Sequence, residues 1–191
     1  MQTPLVLLAS LLVGGTAMAA PVTYQVDPAH TYPSFEADHL GGLSILRGKL
    51  TKTAGTIVLD KEGKTGTVDI TVDAASLDFG NAKLNDKAKS EKMFDVAKFP
   101  TITYKGTLAK FNGDSPTEVD GQLTLHGVTK PLKLTLNQFK CMQNPTTKQH
   151  VCGADASATL DRSEFGIDYD ADLGFKQEVK LQLEVEGIRA S

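Results

Sequence analysis

The sequence predicts an all-β domain built as an antiparallel sheet, and three observations predict it. Apolar and polar residues alternate with a period of two in one segment after another, turn-forming clusters separate those segments, and helical signal is confined to one short central stretch. Such alternation belongs to strands with one buried face, whereas parallel strands buried on both faces read as continuous apolar runs.

The first nineteen residues stand apart from this pattern. Pro4 to Val13 is almost wholly apolar, Gly14 and Gly15 break the run, and Ala17-Met18-Ala19 fits the small-x-small cleavage signature of an export leader. Cleavage one residue beyond Ala19 would set Pro21 beside the scissile bond, a poor geometry because proline lacks the N–H and fixes φ. No Lys or Arg precedes the apolar run, so the α-amino group is its only positive charge. The unbroken run is about half of the ~20 residues that a membrane-crossing helix requires. Export with removal of residues 1–19 is therefore expected, leaving residues 20–191 as one domain with a sizeable core.

The alternating segments follow in order. Ile57 and Leu59 form a short match, and Asp60-Lys61-Glu62-Gly63 supplies a turn. Val68, Ile70 and Val72 then alternate with Thr67, Asp69 and Thr71. A short helix rich in Lys and Ala, capped by Asn85 or Asp86, is expected to run to about Phe94, before Pro100 enforces extended chain. Ile102 and Tyr104 resume the period of two, Asn112-Gly113-Asp114 turns the chain, and Leu123 and Leu125 continue it. Beyond Gly127 to Pro131, Leu132, Leu134 and Leu136 alternate with Lys133, Thr135 and Asn137. The cleanest case closes the series: Val179, Leu181, Leu183 and Val185 against Lys180, Gln182, Glu184 and Glu186. A sandwich and a closed barrel both bury one face of every strand, so periodicity does not choose between them. Strand length leans towards a barrel, since ten residues span about 33 Å and line a deep interior when tilted.

Composition narrows the function. The formal charge is -3 with lysines dispersed among acids, which offers no basic surface for phosphates. Trp is absent and aromatics are 6%, so a stacking platform for bases or sugars is not expected. Cys141 and Cys152 fit a disulfide in an oxidising compartment. Only His150 lies between them, too few ligands for a structural zinc site. His30, His39, His126 and His150 lack H-E-x-x-H spacing, Gly-x-Ser-x-Gly is absent, and Ser90 and Ser163 lack a nucleophile elbow. Asp168, Asp170 and Asp172 would share a face if extended, yet the glycine-containing calcium-loop spacing is missing, so a solvated loop is expected. No catalytic residue, metal or cofactor is expected.

Four segments carry a resemblance. Tyr24-Gln25-Val26-Asp27-Pro28-Ala29-His30, followed by Phe35, is similar to the opening of the YceI family of secreted bacterial proteins. The stretch from Phe94 to Tyr104 (FDVAKFPTITY), the stretch from Gly121 to Pro131 (GQLTLHGVTKP), and Leu160-Asp161-Arg162-Ser163-Glu164-Phe165-Gly166-Ile167 resemble its later signatures, in family order. The resemblance implies a lipocalin-like, eight-stranded antiparallel barrel with one or two short helices, periplasmic, holding a polyisoprenoid or other long-chain amphiphilic lipid. Departures from the family pattern are Asp38 before His39, Ala88, and the segment bearing Cys141 and Cys152.

Candidate wall residues for such a ligand are Phe35, Phe79, Phe94, Phe99, Tyr104, Phe111 and Phe165, with Ile70, Leu123, Leu134 and Leu181. An ordinary filled core accounts equally well for any one of them. Ala154, Ala156 and Ala158 alternate and would leave space if they face inward. Arg47 and Arg162 are candidates to grip a phosphate or carboxylate head group, or else form ion pairs within the fold. The alternatives are an accessory of membrane electron transfer that handles quinones, and a secreted stress-related structural or partner-binding module. Expected partners are a lipid and, transiently, an inner-membrane protein or the membrane surface; the chain is expected to be a monomer or homodimer.

Overall fold

The computed structural model describes residues 20–191, and the expected leader lies outside the described residues. Its strands form eight staves of a closed, antiparallel up-and-down barrel. The first stave has two halves, β1 (Val22–Val26) and β2 (Tyr32–His39), which run the same way along β11 (Glu178–Arg189). β1 pairs with the end of β11, Tyr24 opposite Arg189, and β2 with its beginning, Ala37 opposite Val179. The second stave is bent, with β3 (Ser44–Leu50) on β2 and β4 (Thr53–Asp60) on β1. The third joins β5 (Thr65–Asp73) to the two-residue β6 (Leu77–Asp78), paired with β4 and β3 respectively. β7 (Thr101–Asn112), β8 (Ser115–Leu125), β9 (Val128–Gln143) and β10 (His150–Asp161) then follow as a meander, each paired with the one before, and β11 completes the ring against β10. Closure gives every strand but one a neighbour on both sides; among the described residues the two-residue β6, bonded to β3 alone, is the edge that remains. Closure also settles the choice between sandwich and barrel.

Side chains keep backbone groups paired at the break in the first stave and at the bend in the second. At the first, Asp27 Oδ1 accepts from Ala29 N at 2.9 Å, and the Thr31 hydroxyl accepts from Glu186 N at 3.1 Å and donates to Glu186 O at 3.3 Å. Thr31 thus takes the place of a ladder residue and is 1% exposed. At the bend between β3 and β4, the Ser76 hydroxyl accepts from the backbone N–H groups of Thr51 and Lys52, each at 3.1 Å. The polar residues of the motif segment and the turn at 74–76 are therefore hinges of the barrel wall.

The helix differs from expectation. α1 spans Ala82–Lys89, with Asn81 as its cap accepting from Leu84 N at 3.2 Å. Asn85 is not the cap because its side chain is engaged elsewhere: Oδ1 accepts from Phe79 N at 2.7 Å and Nδ2 donates to Asp78 at 2.8 Å. Beyond Ser90 the chain folds into successive turns, with Phe94 N bonded to Ala88 O at 2.9 Å. Ala88 is the one buried residue of α1, and Leu84 and Lys87 of the same helix reach the barrel opening.

The alternating residues face the barrel axis as the period of two requires. Tyr104, Leu123, Leu132 and Leu134 are all less than a tenth exposed although each sits on a single-layer wall. Gly121 faces the Tyr104 ring at a distance where an added Cβ would lie 2.4 Å from the ring carbon Cζ, so any side chain there would expel the tyrosine.

Candidate ligand cavity

The inward side chains do not meet. They enclose a cavity of about 390 Å³ that runs along the barrel and is walled almost wholly by hydrocarbon. That volume lies within the ~300–1,000 Å³ typical of small-molecule sites. Four complete alternating sets contribute: Val68, Ile70 and Val72; Leu132, Leu134 and Leu136; Val179, Leu181, Leu183 and Val185; and Ile102 with Tyr104. Ala154 and Ala156 also line it, opposite Val185 and Leu183 of β11, whereas Ala158, opposite Leu181, packs against the core without lining the cavity. Small residues on one stave leave the room that leucines on its neighbours would otherwise fill.

Of the residues singled out from sequence, Phe35, Phe79, Phe94, Tyr104, Leu123, Leu134, Arg162 and Leu181 line the cavity. Phe35 and Phe79 meet edge to face with ring centroids 5.4 Å apart. Tyr104 presents its ring only, because its hydroxyl donates to Leu132 O at 2.9 Å, and burial pushes the phenol well above its usual range.

Four candidates lie elsewhere. Phe99 stacks edge-on against His126 with centroids 4.5 Å apart, outside the wall. Phe165, 2% exposed, is packed in the solid core beneath the 162–165 turn, where its carbonyl meets His126 Nδ1 at 3.0 Å. Phe111 does not line the cavity: it is odd-numbered where Ile102, Tyr104 and Leu108 set an even inward parity, and it pairs with Pro116 beyond the register slips on either side of Lys110. Arg47 stands on the outer surface, its Nε donating to Glu36 at 2.8 Å. Its side chain is 67% exposed, so this is a surface ion pair and not a grip inside the barrel.

Arg162 does reach the cavity, but as a clamp. Nη1 donates to Ile167 O at 2.7 Å and Nη2 to Tyr169 O at 3.1 Å, fixing the loop that follows the turn. Burial lowers its pKa and the nearby Asp168, Asp161 and Asp170 oppose that shift. Its terminal nitrogens are thus committed to the protein.

Polar groups gather at the helix-bearing end. Asp38, His39, Lys87, Tyr169 and Asp170 line the cavity there with Leu46, Leu84 and Phe175. The Lys87 ammonium lies 4.0 Å from the centre of the Tyr169 ring and hydrogen-bonds its hydroxyl. Asp38 Oδ2 accepts from Gly41 N at 2.9 Å and Lys176 N at 3.1 Å, and His39 meets the Phe175 ring edge-on. These contacts tie the β2–β3 hairpin to the 166–177 loop. Sequence reasoning misses this end because Tyr169, Asp170 and Phe175 sit in irregular chain with no period to reveal them.

At the opposite end Cys141 and Cys152, directly opposed on β9 and β10 with Cα atoms 4.0 Å apart, form the expected disulfide. Cys152 is buried and belongs to the cavity wall. One cluster outside the cavity combines metal-ligating types among the described residues: Asp27, His30 and Glu186, at the break between β1 and β2. His30 Nδ1 there lies 2.7 Å from Asp27 Oδ2, so the imidazole is already engaged in holding the break together.

Comparison with known proteins agrees with this geometry. The family described as "YceI-like domain" matches residues 24–187. A UPF0312 protein of Pseudomonas aeruginosa is 35% identical over 182 residues, covering 94% of this chain and 93% of its own. Protein YceI of Salmonella arizonae is 33% identical over 185 residues, covering 95% and 94%. Among solved structures, Burkholderia cenocepacia BcnA superposes with a TM-score of 0.66 at 21% identity over 84% of this chain and 98% of its own. A polyisoprenoid binding domain from Saccharophagus degradans superposes with a TM-score of 0.61 at 12% identity over 88% and 99%. At those identities the structural matches speak for the fold.

Proposed function

The chain belongs to the YceI-like domain family, and from that premise we propose that it is a non-catalytic carrier that holds a polyisoprenoid or other long-chain amphiphilic lipid inside the barrel, in the periplasm after loss of residues 1–19. The observation that supports this reading is the hollow, hydrocarbon-lined interior of about 390 Å³. An ordinary core would be packed to crystal-like density. The Saccharophagus degradans domain, which shares the fold, is a polyisoprenoid binder and supports the same ligand class.

Burying a methylene from water is worth about 0.8 kcal/mol, but the ligand's alternative is a bilayer that is equally apolar. Transfer from bilayer to barrel is nearly neutral, and ordering a flexible chain opposes it. Retention then depends on close contact with rings such as Phe35, Phe79 and Phe94, and on polar partners for the head group. Those partners lie at one end, around Asp38, His39, Lys87 and Tyr169, so the tail enters first and the head stays at the helix-bearing rim.

Native mass spectrometry of protein purified without detergent tests the proposal. Protein incubated with vesicles containing a polyprenyl lipid should carry one lipid mass per chain. A clean apo mass after that exposure would overturn the carrier reading.

A further inference from the structure

The residues that most need an explanation are apolar and exposed. Leu43 is 74% exposed, Leu173 63%, Ile45 52%, Leu40 46% and Leu84 36%. Four belong to the β2–β3 hairpin and the turn at 171–173, which touch each other, and Leu84 belongs to α1. All surround the end where Asp38, His39, Lys87, Tyr169 and Phe175 line the cavity. At the opposite end the only large apolar residue so exposed, among the described residues, is Met142. Leu40 moreover occupies φ +52°, a left-handed position that asparagine or glycine would hold at lower cost.

We propose that this rim, led by Leu40, Leu43 and Leu173, seats directly on the surface of a phospholipid bilayer and aligns the barrel opening with the acyl region. Apolar rim and apolar wall adjoin between the polar groups of this end: Leu46 lines the cavity while its neighbour Ile45 is exposed, and Leu173 is two residues from the lining Phe175. A chain passing between bilayer and barrel therefore has apolar side chains to follow past the polar groups at the opening. The exposed side chains stand on three separate elements around an opening, a shape that a fluid surface accommodates and a flat protein face of the usual interface size does not. The hairpin and loop are held by Asp38 and by the His39–Phe175 contact, so the leucines do not fold away. Charge at the rim is mixed with no basic excess, Lys83, Lys87 and Lys176 against Asp38, Asp86, Asp170 and Asp172, so the fitting surface is a zwitterionic bilayer entered by apolar side chains, not an anionic one held by charge. The inference rests on the carrier reading for its purpose, but the contact is measurable without any bound ligand.

The chain contains no Trp, so a single introduced Trp reports its own surroundings. Leu43→Trp and Leu173→Trp should shift their emission to shorter wavelength on addition of phosphatidylcholine vesicles and be quenched by brominated acyl chains, while Met142→Trp should do neither. The double variant Leu43→Asp/Leu173→Asp should lower vesicle partitioning about tenfold or more, and Met142→Asp should leave it unchanged. Raising the salt concentration should have little effect. A shift equal at positions 43 and 142, a steep salt dependence, or rim-dependent dimerisation without vesicle binding would each overturn the proposal. Lipid retained in native mass spectra together with no vesicle contact would sink the rim and leave the carrier intact; vesicle contact with an empty barrel would do the reverse.

Discussion

Ala156→Phe separates a hollow barrel from a filled one. Ala156 is 5% exposed, lies opposite Leu183 on β11 and Leu136 on β9, and faces the cavity with both. In a close-packed core, adding a ring at such a position costs about 1–3 kcal/mol through strain and displaced neighbours. Here the ring enters open space: an apolar cavity of about 150 Å³ accommodates benzene, and this one measures about 390 Å³. Burying the phenyl group against leucines favours the folded state by up to about 2 kcal/mol, so the expected change in stability lies between zero and a gain of that size. Ligand capacity, in contrast, should fall sharply because the ring occupies the middle of the lumen. Urea titration gives the first quantity and native mass spectrometry of lipid-loaded protein the second. Destabilisation by more than about 1 kcal/mol with lipid capacity intact would refute the argument that the inward faces leave a usable space.

Other expectations follow from single contacts. Cys141→Ala/Cys152→Ala opens a loop with a sequence separation of 11 and should cost roughly 2.8 kcal/mol on the chain-entropy relation, a fall in Tm of about 6–11 °C for a domain of this size; a fall under about 2 °C would show that the unfolded chain gains little freedom. Thr53 lines the cavity, is 4% exposed, and its hydroxyl has no hydrogen-bond partner among the described residues. Thr53→Val should therefore raise stability by about 1 kcal/mol, seen as a higher urea midpoint, and a lower midpoint would contradict it. For the exposed Asp27–His30 pair the signs are opposite. The hydrogen bond to His30 lowers Asp27 from 3.8, so its contribution is present above that value and fades as pH falls through the lowered pKa. Asp27 raises His30 from 6.5, so that contribution is present below 6.5 and fades as pH rises through the raised pKa. The Tm difference between the parent and His30→Gln should peak near pH 5, between those two values, and a difference that is flat from pH 3 to pH 9 would show the pair to be idle.

How much of the fold and of the cavity is legible in the sequence depends on parity. Residues such as Ile70, Leu134 and Leu181 can be assigned to the interior because two-residue alternation fixes which face a side chain takes. The case for Phe99, Phe111 and Phe165 rests on aromatic character instead, and each falls outside the wall: one beside His126, one beyond a register slip, one in the plugged core. Barrel closure is invisible locally, since it depends on Tyr24 meeting Arg189 across nearly the whole chain. The cap of α1 is Asn81 and not Asn85 because Asn85 bonds to residues 78 and 79, a competition that spacing alone does not reveal. The polar end of the cavity escapes sequence reasoning for a similar cause, being assembled from a hairpin, a helix and a loop.

The ring is drawn shut along one seam, where Tyr24 to Val26 meet Gly187 to Arg189 and Tyr32 to Ala37 meet Val179 to Glu184. Every other pairing of β1 and of β3 to β10 joins staves adjacent in the meander and can zip progressively, whereas this one spans the longest separation and bears the greatest loop-closure cost. A nascent or partly folded chain lacking its final dozen residues is then an open curved sheet with two sticky borders and no interior. Any factor that delays the last strand delays the existence of an enclosed interior at all, and during that interval the greasy faces of seven staves have only water or another molecule for company.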